Sequence, residues 1–528
     1  MDALKDGKWV KKRDSWGTRL GIIMAVAGSA IGLGNFLRFP AKAACYGGGA
    51  FMIPYFVSLL LLGIPLMWIE WTLGRYGGGY GHGTAPGIFQ SIWNKNRFIK
   101  YFGVIGIFGP LVIFIYYTYI ESWALAYSFF ALIGKYSQIT SQPGMLSFLH
   151  GFQGLENNQY FNGLGLAYLF FLVTFILNIT VIYYGIKGGI EKLCKFAMPL
   201  LFICGLMLFI RVITLGAPDP ANPAWNINNG FGFLWNPDFS ALKSAKVWLE
   251  AAGQIFFTLS VGIGVILTYA SYLSKGDDVV LSGLTAATTN EVAEVILGGS
   301  IIIPAAFVFF GPIDIQSIAR SGVFNLGFVT TPLILSKLPL PEIMGFIWFF
   351  LLFLAGITSS VSLAQPTIAF LEDEFDLKRK RAVSIFAGAT FILCQPAIFF
   401  LGKGVVNELD FWGGTFFLVL FATIETILFA WVFGMEKAWD EIHRGADLSI
   451  PKIYKFIIKY ITPSFLIIIL GMWLWQEWLS VIFMKGVSAQ DRSYVLWTRI
   501  ILFAVFLILG LLVRQSWKKR KMILDKIK

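Results

Sequence analysis

The chain has 528 residues, of which 57% are hydrophobic, 17% aromatic and only 14% charged. Soluble globular proteins carry roughly 25% charged residues, because a large folded surface needs polar cover. Together with a mean hydropathy of +0.71, the composition excludes a soluble enzyme, a disordered chain and a secreted disulfide scaffold. It predicts an all-α integral membrane protein, and the net charge of +12 bears on its orientation in the membrane rather than on nucleic-acid binding.

Apolar runs long enough to cross a bilayer as helices recur along the whole chain. We count twelve of them and number them spans 1 to 12 in chain order. They cover residues 20–45, 49–74, 100–131, 164–185, 191–213, 243–273, 279–311, 341–374, 380–402, 408–433, 453–483 and 491–513.

The basic residues between these spans predict how the chain is oriented. They concentrate before span 1, between spans 2 and 3, between spans 8 and 9 and after span 12, whereas the loops 132–163, 214–242 and 312–340 carry few. Cytoplasmic loops are enriched in Lys and Arg, so both termini are predicted to be cytoplasmic in a multi-pass protein of the cell (inner) membrane. Binding of the basic tail to anionic lipid or to a partner is the alternative.

Spans 1 and 6 are interrupted near their middles by small residues. Span 1 contains Gly28, Gly32 and Gly34, and span 6 contains Gly262 and Gly264. Glycine in a helix interior costs about 1 kcal/mol relative to alanine, and backbone groups freed by a break cannot face lipid. Two such breaks in spans of opposite orientation predict an inverted-repeat transporter with its site at the breaks. Close packing against another helix is the alternative.

This pattern divides the chain into two five-span inverted repeats and their flanks. We predict a cytoplasmic segment at 1–19, a first repeat at 20–213 (spans 1–5), an extracellular loop at 214–242, a second repeat at 243–433 (spans 6–10), spans 11–12 at 453–513 and a basic cytoplasmic tail at 514–528.

The polar side chains near the breaks are mostly neutral. They include Asn35, Thr258, Asn290, Thr358 and Ser359. Sites for divalent ions rely on carboxylates, whereas neutral oxygens suit a monovalent cation such as sodium. No nucleophile–base pair, metal-ligand spacing or phosphate loop is visible, so we expect no enzymatic activity, no organic cofactor and no nucleic-acid partner.

Long stretches of the chain resemble one known family. They are WGTRLGIIMAVAGSAIGLGNFLRFP, GGGAFMIPY, IPLMWIEW, GQIFFTLS, SGLTAATTNE, FNLGF, AGITSS and FLEDE. In this order and spacing they are similar to the neurotransmitter:sodium symporters, most closely to the bacterial leucine-transporting branch. The resemblance implies symport of sodium and a neutral, mostly aliphatic L-amino acid by alternating access, with two sodium ions. The oligomeric state stays open, a homodimer being one option.

The resemblance also implies ligands for both ions and for the amino acid. The first sodium would be held by Ala30, Asn35, Thr258 and Asn290, and the second by Gly28, Ile31, Ala355, Thr358 and Ser359. The substrate would be bound by Ser29, Ala30, Leu33, Gly34, Ile113, Tyr117, Phe257, Thr258, Ser260, Ile263, Ser359 and Leu363.

Gates and a chloride-independent mechanism are implied in the same way. Arg38 and Asp410 would form an outer ion pair, and Arg13 and Asp373 an inner one, with Tyr272 and Gln365 nearby. Glu294 would supply the negative charge that chloride provides in chloride-dependent members; the alternative is a bond to a neighbouring helix.

Four positions depart from the leucine-transporting branch. Ser29, Ile113, Ile263 and Leu363 stand where that branch has Asn, Val, Phe and Ile. All lie among the side chains expected to face the substrate, so the preferred amino acid is left open. A receptor or channel on the same fold and a sodium-independent exchanger remain the rival hypotheses.

Overall fold

The computed structural model describes residues 3–5, 8–10, 13–320, 322–476 and 478–527. Within these residues, ten continuous helices are long and apolar enough to cross a membrane. They are Gly49–Gly78, Ile99–Leu132, Gly165–Tyr183, Ile186–Ile213, Val280–Pro312, Pro341–Phe375, Arg379–Phe399, Val405–Val432, Ile453–Gln476 and Arg492–Arg520. They correspond to spans 2–5 and 7–12.

The two remaining spans are broken. Span 1 consists of Arg19–Ala30 and Leu33–Cys45, which meet at a bend of 46° and bring the candidate crossings to eleven. Span 6 consists of Ala245–Thr258 and Val265–Ala270, with six non-helical residues between them. If span 6 also crosses, the total is the predicted twelve, which stays a prediction.

The sequence explains why span 1 stops at its middle. Ile31 and Gly32 adopt extended backbone angles (φ −75°, ψ 92° and φ −119°, ψ −168°), which end the first half-helix. The Asn35 side chain then accepts the Gly32 N–H at 2.9 Å and so starts the second half-helix. A polar residue placed three positions after the break thus replaces the missing helical hydrogen bond.

Span 6 is broken by left-handed backbone. Ser260, Gly262 and Gly264 have φ angles of 53°, 77° and 80°. Such angles cost a residue with a side chain roughly 1–2 kcal/mol, which explains the two glycines. The Gly262 N–H, left without a helical acceptor, donates to Glu70 Oε1 at 2.5 Å.

Two long helices frame the breaks. Ile105–Leu132 of span 3 packs along Pro341–Phe375 of span 8, and both are buried for most of their length. The first half of span 1 packs on spans 5, 7 and 8, and its second half packs on span 7. The two breaks therefore lie at the centre of the bundle, away from lipid.

Several loops contain structure that hydropathy did not indicate. The predicted loops hold the helices Gln142–Phe152, Ile227–Trp235 and Val323–Leu335. Ser141 and Asn226 cap the first two by accepting backbone N–H groups, a local signal that is independent of apolar length. Ala3–Lys5 and Lys8–Val10 pair as a short antiparallel hairpin, an exception to the all-α prediction.

The last helix is longer than the predicted span. It runs from Arg492 to Ile527 and so passes through the segment expected to be a separate tail. Lys, Arg and Gln are good helix formers, so a charged sequence can continue a helix beyond its apolar part. All four cysteines are free.

Candidate functional site

A cavity lies between the two breaks and spans 3, 8 and 10. Ten of the twelve predicted substrate residues line it. The full lining is Ser29, Ala30, Gly32, Gly34, Asn35, Ile113, Tyr117, Phe257, Ser260, Ile263, Ser359, Ser362, Leu363, Gly414 and Leu418. Of the two others, Leu33 bonds to a lining residue through its backbone, and Thr258 lies in a polar cluster behind the wall.

The break in span 1 presents its backbone to this cavity. The Leu33 N–H donates to the Tyr117 hydroxyl at 3.0 Å. A Cβ at Gly32 would lie 2.9 Å from both the Tyr117 and the Ser359 hydroxyl oxygens, and one at Gly34 would collide with the Phe257 ring. These glycines are therefore required for close approach of the backbone. The break exposes N–H groups where a helix favours negative charge.

The predicted ligands of the first sodium lie together. Asn35 Nδ2 is 3.0 Å from Thr258 Oγ1 and 2.8 Å from Asn290 Oδ1. That terminal atom of Asn290 is also 3.3 Å from the Ala30 carbonyl oxygen and 3.2 Å from the Thr258 carbonyl oxygen. Spans 1, 6 and 7 thus bring all four residues into one buried cluster.

The predicted ligands of the second sodium also lie together, except that no contact places Ile31 among them. The Ser359 hydroxyl is 3.3 Å from the Gly28 carbonyl oxygen and 3.0 Å from that of Ala355, and the Thr358 hydroxyl is 3.2 Å from the latter. Ile31 is fully buried at the end of the same half-helix, but no contact joins its carbonyl oxygen to this group.

Glu294 is fully buried beside the first cluster. The Thr258 hydroxyl donates to Glu294 Oε2. Gln254 donates to the other carboxylate oxygen at 2.5 Å, and the Tyr55 hydroxyl donates to Oε2 at 3.0 Å. The carboxylate therefore touches a predicted sodium ligand directly, and it also bonds to helices other than its own. Both interpretations of Glu294 have contacts that support them.

The predicted inner ion pair is formed. Arg13 Nη2 lies 3.0 Å from Asp373 Oδ2, and Arg13 also donates to the Ser271 carbonyl at 2.9 Å. Its guanidinium stacks 4.6 Å from the centre of the Tyr272 ring, and the Tyr272 hydroxyl accepts from Gln365 at 2.7 Å. These contacts join the segment before span 1 to the end of span 6 and to span 8.

The predicted outer pair is arranged differently. The Arg38 guanidinium lies 4.4 Å from the centre of the Phe257 ring, and Asp410 accepts from the Tyr116 hydroxyl at 2.6 Å. Among the ion pairs of the described residues, none joins Arg38 to Asp410. Each has a different partner in this conformation, so the outer gate stays a prediction.

Some residues of the site were not predicted. Gly414 and Leu418 of span 10 complete the cavity wall, together with Gly32 and Ser362. Ser362 meets Ser29 with hydroxyl oxygens 2.7 Å apart. The polar pattern in span 8 could have indicated Ser362, whereas nothing in the local sequence distinguishes Leu418 from the other apolar residues of span 10.

A membrane bundle with two broken helices around a polar cavity defines a class of secondary transporter. The family model of the sodium:neurotransmitter symporter family matches residues 13–144 and 136–518. The chain belongs to this family, and it is a multi-pass membrane protein that carries out sodium-dependent transport.

Individual relatives agree with this assignment. The chain is 31% identical to an uncharacterized sodium-dependent transporter of Methanocaldococcus jannaschii, over 94% of this chain and 96% of the relative. It is 27% identical to the sodium-dependent nutrient amino acid transporter 1 of Drosophila yakuba, over 88% and 78% of the two chains. The crystal structure of MhsT in complex with L-phenylalanine is similar, with a TM-score of 0.73, 30% identity and coverage of 87% and 99%.

Proposed function

We propose that the chain is a symporter of sodium and neutral, mostly aliphatic L-amino acids that works by alternating access without chloride. The observation that carries the proposal is the buried cluster of Asn35, Thr258 and Asn290, at the break of span 1 and against the cavity. A cluster of neutral oxygens between three helices binds a monovalent cation and couples it to a ligand in the adjoining cavity.

Two sodium ions are proposed as co-substrates. The Ser359 hydroxyl carries one hydrogen, yet carbonyl oxygens of Gly28, Ser29 and Ala355 lie within 3.3 Å of it. One hydroxyl cannot satisfy three acceptors, so a cation among them would be favourable. This second ion would join the first half of span 1 to span 8, and the first ion would join span 1 to spans 6 and 7.

The backbone of the amino acid would bind at the break. Its carboxylate would replace the contact between the Leu33 N–H and the Tyr117 hydroxyl, at the positive end of a half-helix. Its ammonium group would meet the carbonyl groups of Ala30, Phe257 and Thr258 and the Ser260 hydroxyl. The carboxylate would also complete the shell of the first sodium, and this accounts for coupling.

The apolar wall supports a neutral side chain. Ile113, Ile263, Leu363 and Leu418 line the cavity, and a charged side chain would be left unpaired there at a cost of several kcal/mol. The names of relatives agree with amino acids as the class, since one Drosophila relative is a nutrient amino acid transporter and MhsT was crystallised with L-phenylalanine.

Alternating access would use the two predicted ion pairs. Arg13 and Asp373, which are paired, would hold the cytoplasmic side closed, and Arg38 and Asp410 would pair when the outer side closes over Tyr117 and Phe257. The proposed frame is twelve spans in two inverted repeats, 20–213 and 243–433, with both termini in the cytoplasm and 214–242 outside. The five-span repeats would exchange the open side around a fixed site.

Sodium-dependent binding of labelled leucine to the purified protein tests the ion site. We expect binding in sodium and little binding in potassium. Asn35→Ala removes a proposed ligand and should raise the sodium concentration needed for half-maximal binding at least about fivefold, since hydrogen bonds and ligand contacts of this kind contribute roughly 1–3 kcal/mol. Binding that is equal in potassium and sodium would refute the proposal.

Asn407→Ala is a matched control, because it removes the same amide from an exposed position on span 10. It should leave the sodium dependence unchanged. If both variants shift it equally, the effect of Asn35→Ala does not report a sodium ligand.

A further inference from the structure

The end of the last helix lies against the rest of the protein. In the part beyond Val513, Ser516 is fully buried. The Trp517 ring stacks on His82, with ring centres 6.0 Å apart and an interplanar angle of 4°. A basic tail that served only to orient the chain in the membrane would need no such contacts. This part of the helix is instead packed against the rest of the protein.

Arg520 carries the strongest of these contacts. Its Nε lies 3.1 Å from Glu374 Oε2, and its Nη1 lies 3.1 Å from His82 Nε2. The Glu374 side chain is completely buried, and its other oxygen lies 3.0 Å from His82 Nδ1. Arg520, His82 and Glu374 thus form a closed network that joins the last helix, the loop after span 2 and the end of span 8.

The same network continues along the backbone of span 8. Arg520 Nη2 donates to the Asp373 carbonyl oxygen at 3.4 Å, and Lys519 donates to the Phe375 carbonyl oxygen at 3.2 Å. Span 8 ends there, since Phe375 is its last residue and Asp376 is left-handed, with φ 58°. The final carbonyl groups of a helix are negative, and cationic side chains stabilise them.

The contacted residues adjoin the ion pair of the predicted inner gate. Asp373 uses its carboxylate for Arg13 and its carbonyl oxygen for Arg520. Glu374, the next residue, holds the guanidinium of Arg520. The last helix therefore fixes the turn of span 8 that presents Asp373 to Arg13.

We propose that Arg520 is a positioning residue for the inner gate: the last helix clasps the end of span 8 and stabilises the state in which Asp373 pairs with Arg13. The proposal rests on the proposed function, because it treats that ion pair as a gate. Loss of the clasp shifts the equilibrium toward the state that is open on the inner side. External sodium and substrate then bind more weakly, since the competent state is less populated.

If the basic residues of the last helix acted by binding lipid, their net charge would matter and not their individual contacts. Lys518 is exposed and carries the same charge two positions before Arg520, so it would serve lipid binding as well as Arg520 does. Of these two side chains, the one that contacts Glu374 and Asp373 is Arg520. Replacing each in turn separates a specific contact from the net charge of the tail.

The native Cys194 provides a reporter of opening. It is fully buried, and its sulfur lies 3.4 Å from where a Cβ at Gly28 would stand. The Trp16 side chain, in the segment before span 1, donates to the Tyr269 carbonyl oxygen at 3.0 Å. With Cys45, Cys204 and Cys394 replaced by alanine, a membrane-impermeant maleimide added from the cytoplasmic side labels only molecules whose inner side has opened.

The parent is the protein that keeps Cys194 as its single cysteine. In proteoliposomes containing sodium, Cys194 of the Arg520→Gln variant should be labelled about three- to tenfold faster than Cys194 of the parent, as expected for loss of a partly buried charged contact. Glu374→Gln, which removes the partner, should give the same increase. Arg13→Gln, which breaks the gate directly, should give at least as large an increase. Lys518→Gln should label at the parental rate.

Parental labelling of both Arg520→Gln and Glu374→Gln would overturn the proposal. An equal increase in Lys518→Gln would overturn it as well, because the effect would then come from tail charge at the membrane. If Cys194 of the Arg13→Gln variant is labelled no faster than in the parent, the gate role of Arg13 is refuted, and the positioning role of Arg520 is refuted with it. Absence of sodium-dependent leucine binding in the parent protein would instead refute the proposed function.

Discussion

At the scale of single residues, the position of Glu294 bears on which anion balances the bound sodium. Its carboxylate touches Thr258, a proposed ligand of the first ion, and bonds to Gln254 and Tyr55 around it. A fixed negative charge beside a sodium ion removes the need for a mobile one. The protein should therefore transport equally well in chloride and in gluconate.

Glu294→Ser tests this directly. The shorter side chain removes the charge and leaves space among Tyr55, Gln254 and Thr258, so sodium-dependent leucine binding should become stimulated by chloride. Glu294→Gln is the control, because it removes the charge but fills the space, and chloride should then restore nothing. A wild-type protein that is inactive in gluconate and recovers with chloride would contradict the account.

The size of the substrate pocket is also decided by single residues. Leu418 and Gly414 close the cavity on the side of span 10, next to Ile263, which stands where the leucine-transporting branch has a phenylalanine. Leu418→Phe should fill this side and weaken competition by methionine and phenylalanine by about tenfold or more, given roughly 1–3 kcal/mol for an overpacked contact. Alanine should compete as before.

Leu420→Phe is the matched control for this substitution. Leu420 lies two residues further along the same helix and does not line the cavity, so the order of preferred substrates should not change. If Leu418→Phe weakens competition by alanine and competition by phenylalanine to the same extent, Leu418 does not contact the substrate side chain.

At the scale of elements, the break in span 6 requires Gly262. Its φ of 77° is left-handed, and an added Cβ would lie 2.8 Å from the Leu418 carbonyl oxygen and 3.0 Å from the Ala422 Cβ. Gly262→Ala should therefore cost at least about 1–2 kcal/mol of stability. The thermal unfolding midpoint of the detergent-solubilised protein should fall, and sodium-dependent binding should fall with it.

Gly253→Ala gives the opposite expectation within the same span. This glycine lies inside the helix Ala245–Thr258, and a Cβ there meets no atom within 4 Å. Alanine is the better helix former by up to about 1 kcal/mol, so the midpoint should stay the same or rise. If the two variants behaved alike, the left-handed break would not explain the glycine.

The sequence predicted these elements to different degrees, and the reasons are physical. Apolar length located the continuous spans, because every backbone group in lipid must be bonded within its own helix. The short helices in the loops and the extension to Ile527 were missed, since they depend on capping side chains and on tertiary contacts such as those of Trp517. Hydropathy does not report either.

Some residues of the candidate site could likewise be predicted from the sequence, and others could not. Glycines and neutral polar residues indicated both breaks, and the family resemblance supplied Asn35, Thr258 and Asn290, which the structure brings into contact. Leu418 could not be predicted, because its place in the wall depends on how span 10 packs across the break. The contacts of Arg38 with Phe257 and of Asp410 with Tyr116 depend on how spans 1, 3, 6 and 10 pack together, which the order of residues in each span does not report.

At the scale of the whole molecule, the proposed symport means that the sodium gradient drives the amino acid across the membrane. The two proposed ion clusters and the cavity join spans 1, 3, 6, 7 and 8 at one place, so ligand binding there would bias the entire bundle. Arg13 and Asp373 are paired, whereas Arg38 and Asp410 contact Phe257 and Tyr116 and not each other. The proposed alternating access needs such a difference between the two predicted gates.

The most direct test of this claim is uptake of labelled leucine into proteoliposomes with sodium outside and potassium inside. Sodium-coupled symport predicts accumulation above the equilibrium level, which collapses when the sodium gradient is dissipated and does not occur with potassium on both sides. Undiminished accumulation in potassium alone, or uptake that only equilibrates whatever the sodium gradient, would contradict sodium-coupled symport.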